Sequence, residues 1–220
     1  MLITEIKNLD KKKKLIYIDY EPEFALYNSE VRKFQLEQND EIEPDVLEEI
    51  YKLLITRCKT RVSYILAKSD KTSHDLIQSL RKSYYPELIV RKVVDEYVEK
   101  GYVNDMEYAR CYIRSHMQNK SMGRITSLLM NKGISKEVIT QAVSEIEEEL
   151  DENTMADRQK EMIRREIEKK KLDVRNLDRK LLNKVIASFL RKGFSYDDIY
   201  DVIGQIKENE LFFFFFLYFL

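Results

Sequence analysis

Glycine and proline are scarce in this sequence, with five glycines and three prolines among 220 residues. The tight turns of β-sandwiches and barrels depend on these residue types, so their scarcity argues against a turn-rich all-β fold and favours long helices. Hydrophobic residues make up 44% of the chain, which is enough to build a core. The composition indicates a helical protein, organised as one large domain or as several small modules.

Residues that catalyse reactions or bind metals are scarce as well. Cys58, Cys111, His74 and His116 are the only cysteines and histidines, and they are too dispersed to form a clustered zinc site. The sequence contains no phosphate-binding glycine-rich loop and no nucleophile–base grouping that its spacing supports. We therefore predict a protein that is not an enzyme, binds no metal or cofactor, and keeps its thiols reduced in the cytoplasm.

A long apolar run is found only at the C-terminus, where residues 212–216 are five consecutive phenylalanines. As a helix, residues 211–220 would extend about 15 Å, half the hydrocarbon core of a bilayer, so they cannot span a membrane alone. The first ten residues lack the apolar run of a signal peptide, so secretion is not expected. We predict that residues 210–220 are a disordered tail or a sequence artefact. Docking on the protein, partner binding and aggregation are the alternatives.

The net charge of −1 conceals a strong asymmetry along the chain. Residues 1–51 carry a net charge of −6, whereas residues 52–138 contain 17 basic and nine acidic side chains, a net charge of +8. Residues 139–153 return to −6, and residues 154–220 carry +3. The middle of the chain is therefore its electropositive part.

The first 43 residues have the pattern of a small antiparallel sheet. Apolar runs at residues 2–6 and 15–20 flank a polar stretch that includes the four lysines of residues 11–14, which is a β-hairpin signal. A third extended run, residues 24–27, follows Pro22. Such a sheet needs a helix for stability. We interpret the lysines as a solvated turn rather than as a phosphate contact.

The rest of the chain has a helical apolar period and repeats itself. Lys-Gly-Ile-Ser ends at Ser135, Lys-Gly-Phe-Ser ends at Ser195, and a looser copy has Tyr84 at the glycine position. Gly133 and Gly193 are expected to end one helix in the left-handed conformation, and the two serines to cap the next helix. Because tyrosine replaces glycine in the looser copy, we expect that turn to be built differently.

These observations predict a mainly α fold of tandem three-helix, helix-turn-helix-like repeats that form an elongated, curved body after a small N-terminal β-sheet. The predicted domains are residues 1–43 for the sheet and residues 44–103, 104–153 and 154–209 for the three repeats, followed by the tail. The predicted helices span residues 44–69, 73–83, 86–100, 105–119, 122–132, 136–150, 155–171, 178–192 and 196–208.

Basic side chains concentrate on the first two repeats, in part at spacings of four residues that place them on one helical face. Cations along one face of an elongated body suit a polyanion, although a solvated surface is the better explanation of any single one. The candidates for contact with such a polyanion are Arg81, Lys82, Arg91, Lys92, Arg110, Arg114, Lys120, Arg124 and Lys132.

Two other groups of side chains have simpler interpretations. The acidic cluster of residues 145–152 is expected to be a solvated helix end or a region that repels DNA, and not a metal site. Six tyrosines could stack on bases, but most of them lie at core-facing helical positions or staples, which favours a structural role. The six tyrosines are Tyr84, Tyr85, Tyr97, Tyr102, Tyr108 and Tyr112.

Three sequence features carry a family resemblance. Residues 72–80 contain Thr-x-x-x-Leu-x-x-x-Leu, residues 101–109 are Gly-Tyr-Val-Asn-Asp-Met-Glu-Tyr-Ala, and the two Lys-Gly turns are followed by Ile or Phe. They resemble the T/S-x-x-x-L-x-x-x-L, G-Y-[IL]-[ND]-D-x-x-[FY]-A and K-G-[IF] patterns of the RecX family, over about residues 1–208. The sequence departs from the family at Tyr84, where glycine is common, and in the phenylalanine-rich tail.

The resemblance implies a cytosolic, non-enzymatic regulator that binds the RecA filament on single-stranded DNA and modulates, usually inhibits, its ATPase and strand exchange. DNA repair, homologous recombination and the SOS response are the implied processes. We also expect weak direct DNA binding, no membrane association and a monomer. Two alternatives stay open here: a helix-turn-helix DNA-binding transcriptional regulator and a protein-binding helical scaffold.

Overall fold

The computed structural model describes residues 1–150, 154–174 and 177–218, with the side chains of residue 154 and of residues 209–218 outside the description. The chain divides into two compact units, Met1–Asp105 and Met106–Leu220. Its strands are β1 (Ile3–Asn8), β2 (Lys13–Ile18) and β3 (Glu21–Tyr27). Its helices are α1 (Asn28–Lys33), α2 (Pro44–Leu66), α3 (Ser73–Arg81), α4 (Glu87–Glu99), α5 (Asp105–His116), α6 (Met122–Asn131), α7 (Lys136–Glu149), α8 (Thr154–Lys169), α9 (Arg179–Arg191) and α10 (Tyr196–Tyr218).

The N-terminal sheet is antiparallel, with the strand order β1-β2-β3, as the sequence predicts. Ile16 of β2 and Phe24 of β3 are partners across the sheet and are fully buried. They share one apolar core with Ile50 and Leu54 of α2. The long helix therefore supplies the support that a three-stranded sheet of this size requires.

Helix α1 has no counterpart in the sequence prediction. It begins where the backbone N–H of Tyr27 donates a 2.8 Å hydrogen bond to the Glu30 carboxylate. Only Val31 of its six residues is buried. One buried side chain leaves no helical period in the sequence, so the pattern cannot reveal this helix.

The sequence predicts nine helices from residue 44 onward, and all nine are present in the ranges that the structure describes. Their ends lie within three residues of the predicted ones, except that α10 continues to Tyr218, ten residues beyond its predicted end. Helices α5–α7 enclose one apolar core and α8–α10 another. The predicted fold class is confirmed, while the exact repeat boundaries and the curved body stay predictions.

The apolar tail extends the backbone of α10, but its side chains lie outside the described residues, as do residues 219–220 altogether. The predictions of a disordered or artefactual tail, and the alternatives of docking, partner binding and aggregation, therefore stay predictions. None of the helices in the described ranges is long and apolar enough to cross a bilayer.

The turns after α6 and α9 have the same hydrogen bonds. The Gly133 N–H donates to the Met130 carbonyl at 2.9 Å, and the Ile134 N–H donates to the Leu129 carbonyl at 3.2 Å. The corresponding two bonds form at Gly193, and the two glycines have φ values of +78° and +85°. This is the Schellman arrangement in which a left-handed residue ends a helix, as the sequence predicts.

The first joint follows the same plan, so the prediction of a different turn at Tyr84 was wrong. Tyr84 has a φ of +57°. Its N–H donates to the Arg81 carbonyl at 2.9 Å, and the Tyr85 N–H donates to the Leu80 carbonyl at 3.4 Å. In addition, the Tyr84 carbonyl accepts a 3.2 Å hydrogen bond from the N–H of Ala25 in β3. These bonds hold a conformation that costs tyrosine about 1–2 kcal/mol.

Serine caps follow the two glycine turns, as predicted. The Ser135 hydroxyl accepts a 3.3 Å hydrogen bond from the Val138 N–H at the start of α7. The Ser195 hydroxyl accepts a 3.0 Å hydrogen bond from the Asp198 N–H at the start of α10. Each joint therefore consists of a left-handed helix stop followed at once by a capped helix start.

Two glycines let the start of α6 touch the α9–α10 turn through the backbone. The Gly123 N–H donates a 3.1 Å hydrogen bond to the Gly193 carbonyl. A Cβ added to Gly123 would lie 2.5 Å from that oxygen, and a Cβ added to Gly193 would lie 2.6 Å from the Arg124 nitrogen. The Ser121 hydroxyl also donates to the Lys192 carbonyl. We call the contact between Gly123 and Gly193 the glycine contact. It requires glycine on both sides.

Replacing Tyr84 by glycine should raise the free energy of unfolding by about 0.5–1 kcal/mol. The substitution removes the left-handed penalty, and the greater backbone entropy of glycine offsets part of that gain. Urea unfolding followed by circular dichroism measures the change. The control is Ser83→Gly, at a neighbouring position without a left-handed φ, which should lower the stability. Equal losses in the two variants would contradict strain at Tyr84.

Gly123→Ala should lower the free energy of unfolding by about 1–3 kcal/mol, because its Cβ meets backbone atoms that cannot move aside independently. Gly204→Ala is the matched control, since it lies in α10 with no atom within 4 Å of an added Cβ. There alanine should stabilise the helix by about 0.5–1 kcal/mol. Thermal melts of both variants test this, and shifts of the same sign and size would refute the steric argument.

Candidate nucleic-acid interface

The first joint places two of the predicted arginines around one carboxylate. The Nε atoms of Arg81 and Arg91 donate to Glu87 at 2.7 and 2.6 Å. Hydrogen bonding from the Arg81 guanidinium, reinforced by Arg91, lowers the pKa of Glu87 to about 2. The carboxylate therefore stays charged at neutral pH. One negative charge between two guanidinium groups leaves a single net positive charge in this cluster.

Lys82 and Lys92 follow these two arginines in the sequence, and both side chains are exposed. Neither lysine forms an ion pair within the described part of the chain. Leu88 lies between the two lysines in the sequence, on the first turn of α4, and its side chain is 77% exposed. The first joint thus offers two available ammonium groups to a partner, together with an apolar side chain.

Arg110 and Arg114 have a different environment, because both pair with the acidic cluster. Arg110 of α5 pairs with Glu145 of α7, and Arg114 pairs with Glu149, one helical turn further along each helix. The cluster interpreted from the sequence as a solvated helix end therefore also neutralises two predicted interface residues. These two ion pairs connect α5 to α7 along one side of the repeat.

Lys120, Arg124 and Lys132 lie around α6. Arg124 is exposed on its first turn, and Lys120 is half-buried just before the capping residue Ser121. Neither forms an ion pair among the residues that the structure describes. Lys132 is half-buried at the C-terminal end of the helix. Of these three residues, Lys120 and Arg124 are therefore the cations available to a partner.

The third repeat carries a matching pair of cations. Lys180 and Lys184 precede Gly193 by 13 and nine residues, the same separations as those of Lys120 and Arg124 from Gly133. Both lysines are exposed on α9. Aligning the two Lys-Gly turns would have revealed this correspondence in the sequence.

The tyrosines divide into core and surface residues. Four of the six are half-buried and pack against an apolar core, as predicted: Tyr85, Tyr97, Tyr108 and Tyr112. Tyr84, which forms the first turn, is 38% exposed, and Tyr102 is 68% exposed. The predicted structural role therefore fits most of the six tyrosines, whereas Tyr102 and much of the Tyr84 side chain lie on the surface.

A group on α2 was missed by the sequence prediction. Arg57, Arg61 and Tyr64 recur at spacings of four and three residues, which places them on one face of the helix, and Lys68 follows in the turn after it. The apolar period of the same helix dominates its pattern, so the cationic period was overlooked. Searching each helix for charged and aromatic periods separately would have found it.

Metal and thiol chemistry contribute little to this surface. Within the described ranges, no group of three or more potential metal ligands comes together. Neither Cys58, which is buried, nor Cys111, which is exposed, forms a disulfide within the described residues. Burial raises the pKa of Cys58 to about 12, so this thiol stays protonated and serves the core.

Family models match two segments of the chain. The model for the second three-helix domain of RecX matches residues 104–143, and the model for the third three-helix domain matches residues 157–203. These segments correspond to α5–α7 and to α8–α10. They are the two places where a Lys-Gly turn and a serine cap form a helix-turn-helix joint.

Curated relatives and solved structures agree with these matches. Regulatory protein RecX of Streptococcus uberis is 29% identical over 210 residues, which cover 92% of this chain and 77% of the relative. Regulatory protein RecX of Clostridioides difficile is 29% identical over 197 residues, covering 87% and 88%. A crystal structure of regulatory protein RecX has a TM-score of 0.60 at 22% identity, covering 93% of this chain and 98% of its own. RecX from Lactobacillus salivarius has a TM-score of 0.58 at 23% identity, covering 70% and 97%.

The two structural matches show a shared fold, and the domain models fall on the two glycine-turn repeats. The curated relatives extend the similarity over most of the chain, including the N-terminal unit. The chain belongs to the RecX family of regulatory proteins.

Proposed function

We propose that this protein binds the RecA filament on single-stranded DNA and lowers its ATPase and strand-exchange activities, without catalysis of its own. The observation that carries the proposal is the match of RecX domain models to α5–α7 and α8–α10. In this proposal the protein acts in the cytoplasm as a monomer, needs no cofactor, and binds DNA weakly by itself.

The available cations support a polyanionic partner. Lys82 and Lys92 of the first joint and Lys120 and Arg124 of the second repeat have no ion pair among the described residues. Their positive charge can therefore neutralise phosphates of the DNA or carboxylates on the filament surface. Because such contacts release counterions, filament binding should weaken steeply as salt is added.

The paired arginines have a supporting role in this proposal. Arg110 and Arg114 fix α5 against α7 through Glu145 and Glu149. Replacing them would loosen the repeat and also change its surface charge. They are therefore poor reporters of filament contact, and Lys120 and Arg124 are the better residues to replace.

A helix-turn-helix transcriptional regulator is the second candidate, and the repeated joints favour it. In such proteins the start of the second helix reads base edges in the major groove. In the first joint that position carries the Glu87 carboxylate, held by two arginines, beside exposed Leu88. Because both arginines already donate to this carboxylate, it is occupied and does not read a base edge, so the filament proposal is preferred.

The full chain, titrated into RecA that hydrolyses ATP on single-stranded DNA, should lower the hydrolysis rate at protein concentrations below that of RecA. Substoichiometric action is expected because one bound regulator affects a filament of many subunits. A coupled ATPase assay measures the effect, with bovine serum albumin as the protein control.

An unchanged ATPase rate would reject the filament proposal. Saturable binding to one duplex sequence would then favour the transcriptional regulator. Protein partners bound without any dependence on DNA would favour a helical scaffold.

Lys120→Gln combined with Arg124→Gln should raise the concentration needed for half-inhibition roughly tenfold, because two charge-assisted contacts are lost. The matched control is Lys180→Gln combined with Lys184→Gln, which makes a similar charge change at the equivalent positions of the third repeat. The control should change the value less than about twofold. Equal effects of the two pairs would contradict a specific role for the second repeat.

A further inference from the structure

The C-terminal end of α2 and the turn that follows it carry two exposed cations on either side of an exposed tyrosine. Arg61 and Tyr64 lie near the C-terminal end of α2, Lys68 lies in the turn two residues beyond the helix, and all three are exposed. We call these three residues the α2 stripe.

Both cations of the stripe contact the tyrosine ring. The Lys68 Nζ lies 4.2 Å from the centroid of the Tyr64 ring, and the Arg61 guanidinium carbon lies 5.6 Å from it. These cation–π contacts hold the long side chains beside the ring. Tyr64 nevertheless keeps 52% of its surface exposed.

The charges of the stripe are available to a partner. Neither Arg61 nor Lys68 forms an ion pair within the described residues. One turn earlier on α2, Arg57 differs, because it pairs with Glu30 and lies 4.7 Å from the Tyr27 ring centroid. Arg57 therefore joins α2 to the sheet, and the net positive charge of this surface lies with the stripe.

An exposed aromatic ring between two available cations matches the chemistry of a single-stranded nucleic acid. The cations can contact successive phosphates, and the ring offers a face on which an unpaired base can stack. In a duplex the base faces are stacked on one another, so only the phosphate contacts would remain. An acidic peptide would use the charges but would gain little from the tyrosine.

We propose that the α2 stripe is a binding site for single-stranded nucleic acid, with Tyr64 stacking on a base and with Arg61 and Lys68 contacting the adjacent phosphates. The site is in the first unit and does not involve the cations of the second repeat. The inference rests on the proposed function, since it assigns a site to the weak direct DNA binding proposed there, and it requires no RecA.

The test is binding of the full chain to a fluorescein-labelled 30-residue oligothymidylate, measured by fluorescence anisotropy without RecA. Tyr64→Leu should weaken binding roughly tenfold, within the range for loss of one stacking contact. Tyr64→Phe keeps the ring and should stay within about twofold of the original protein. The matched control is Tyr20→Leu, since Tyr20 is 82% exposed and should leave binding unchanged.

Salt titrations separate the ring from the charges. Arg61→Gln combined with Lys68→Gln should reduce the slope of log affinity against log salt by about 1.4, or 0.7 for each lost phosphate contact. Tyr64→Leu should lower the affinity and leave that slope unchanged. Circular dichroism should show that both variants remain folded, as expected for exposed residues.

Three results would overturn the proposal. The first is that the original chain does not bind oligothymidylate. The second is that the Tyr64→Leu and Tyr20→Leu variants bind it with equal affinity. The third is that Tyr64→Leu weakens binding to single-stranded and duplex probes by the same factor. If the original chain bound an acidic peptide but not oligothymidylate, the α2 stripe would be a binding site for a protein partner. Since no RecA is present, these results are distinguishable from failure of the filament proposal.

Discussion

The left-handed residue that ends a helix is the constraint on which these repeats depend. The same pair of backward hydrogen bonds ends α3, α6 and α9, and it recurs at the ends of α1, α4 and α8. Glycine occupies three of the six left-handed positions, and Gln35, Tyr84 and Lys171 occupy the others. Because the stop fixes where each chain segment leaves its helix, it also fixes where the next helix begins, and three helices can then close over one core.

Charge on this scaffold is divided between structure and surface. Arg57, Arg110 and Arg114 neutralise glutamates on neighbouring elements and so connect helices that are distant in the sequence. Other cations have no such partner among the described residues, and Arg61 and Arg124 are two of them. The number of basic residues in a segment is therefore larger than the number of positive charges available to a binding partner. The useful quantity is the number of cations that remain after the internal ion pairs are formed.

The nine helices from residue 44 onward and the caps at the two glycine turns could be predicted from the sequence, because the apolar period, Gly133, Gly193 and the serines that follow are local signals. The turn at Tyr84 was not readable, since a hydrogen bond from β3 supports a conformation that the residue itself disfavours. Ion pairs were hidden for a related reason: Arg110 and Glu145 are 35 residues apart and meet only after α5 packs near α7. Candidate interface residues could thus be listed from the sequence, but their pairing depends on tertiary contact.

The glycine contact has a genetic consequence. Gly123 and Gly193 touch through backbone atoms, and each already has the smallest side chain that a protein can use. A larger residue at one position therefore cannot be compensated by a smaller residue at the other. Substitutions should therefore be excluded at each of the two positions separately. At two positions whose side chains pack together, by contrast, substitutions are correlated. A comparison of many related sequences would find two invariant columns here and no covariation to reveal that they touch.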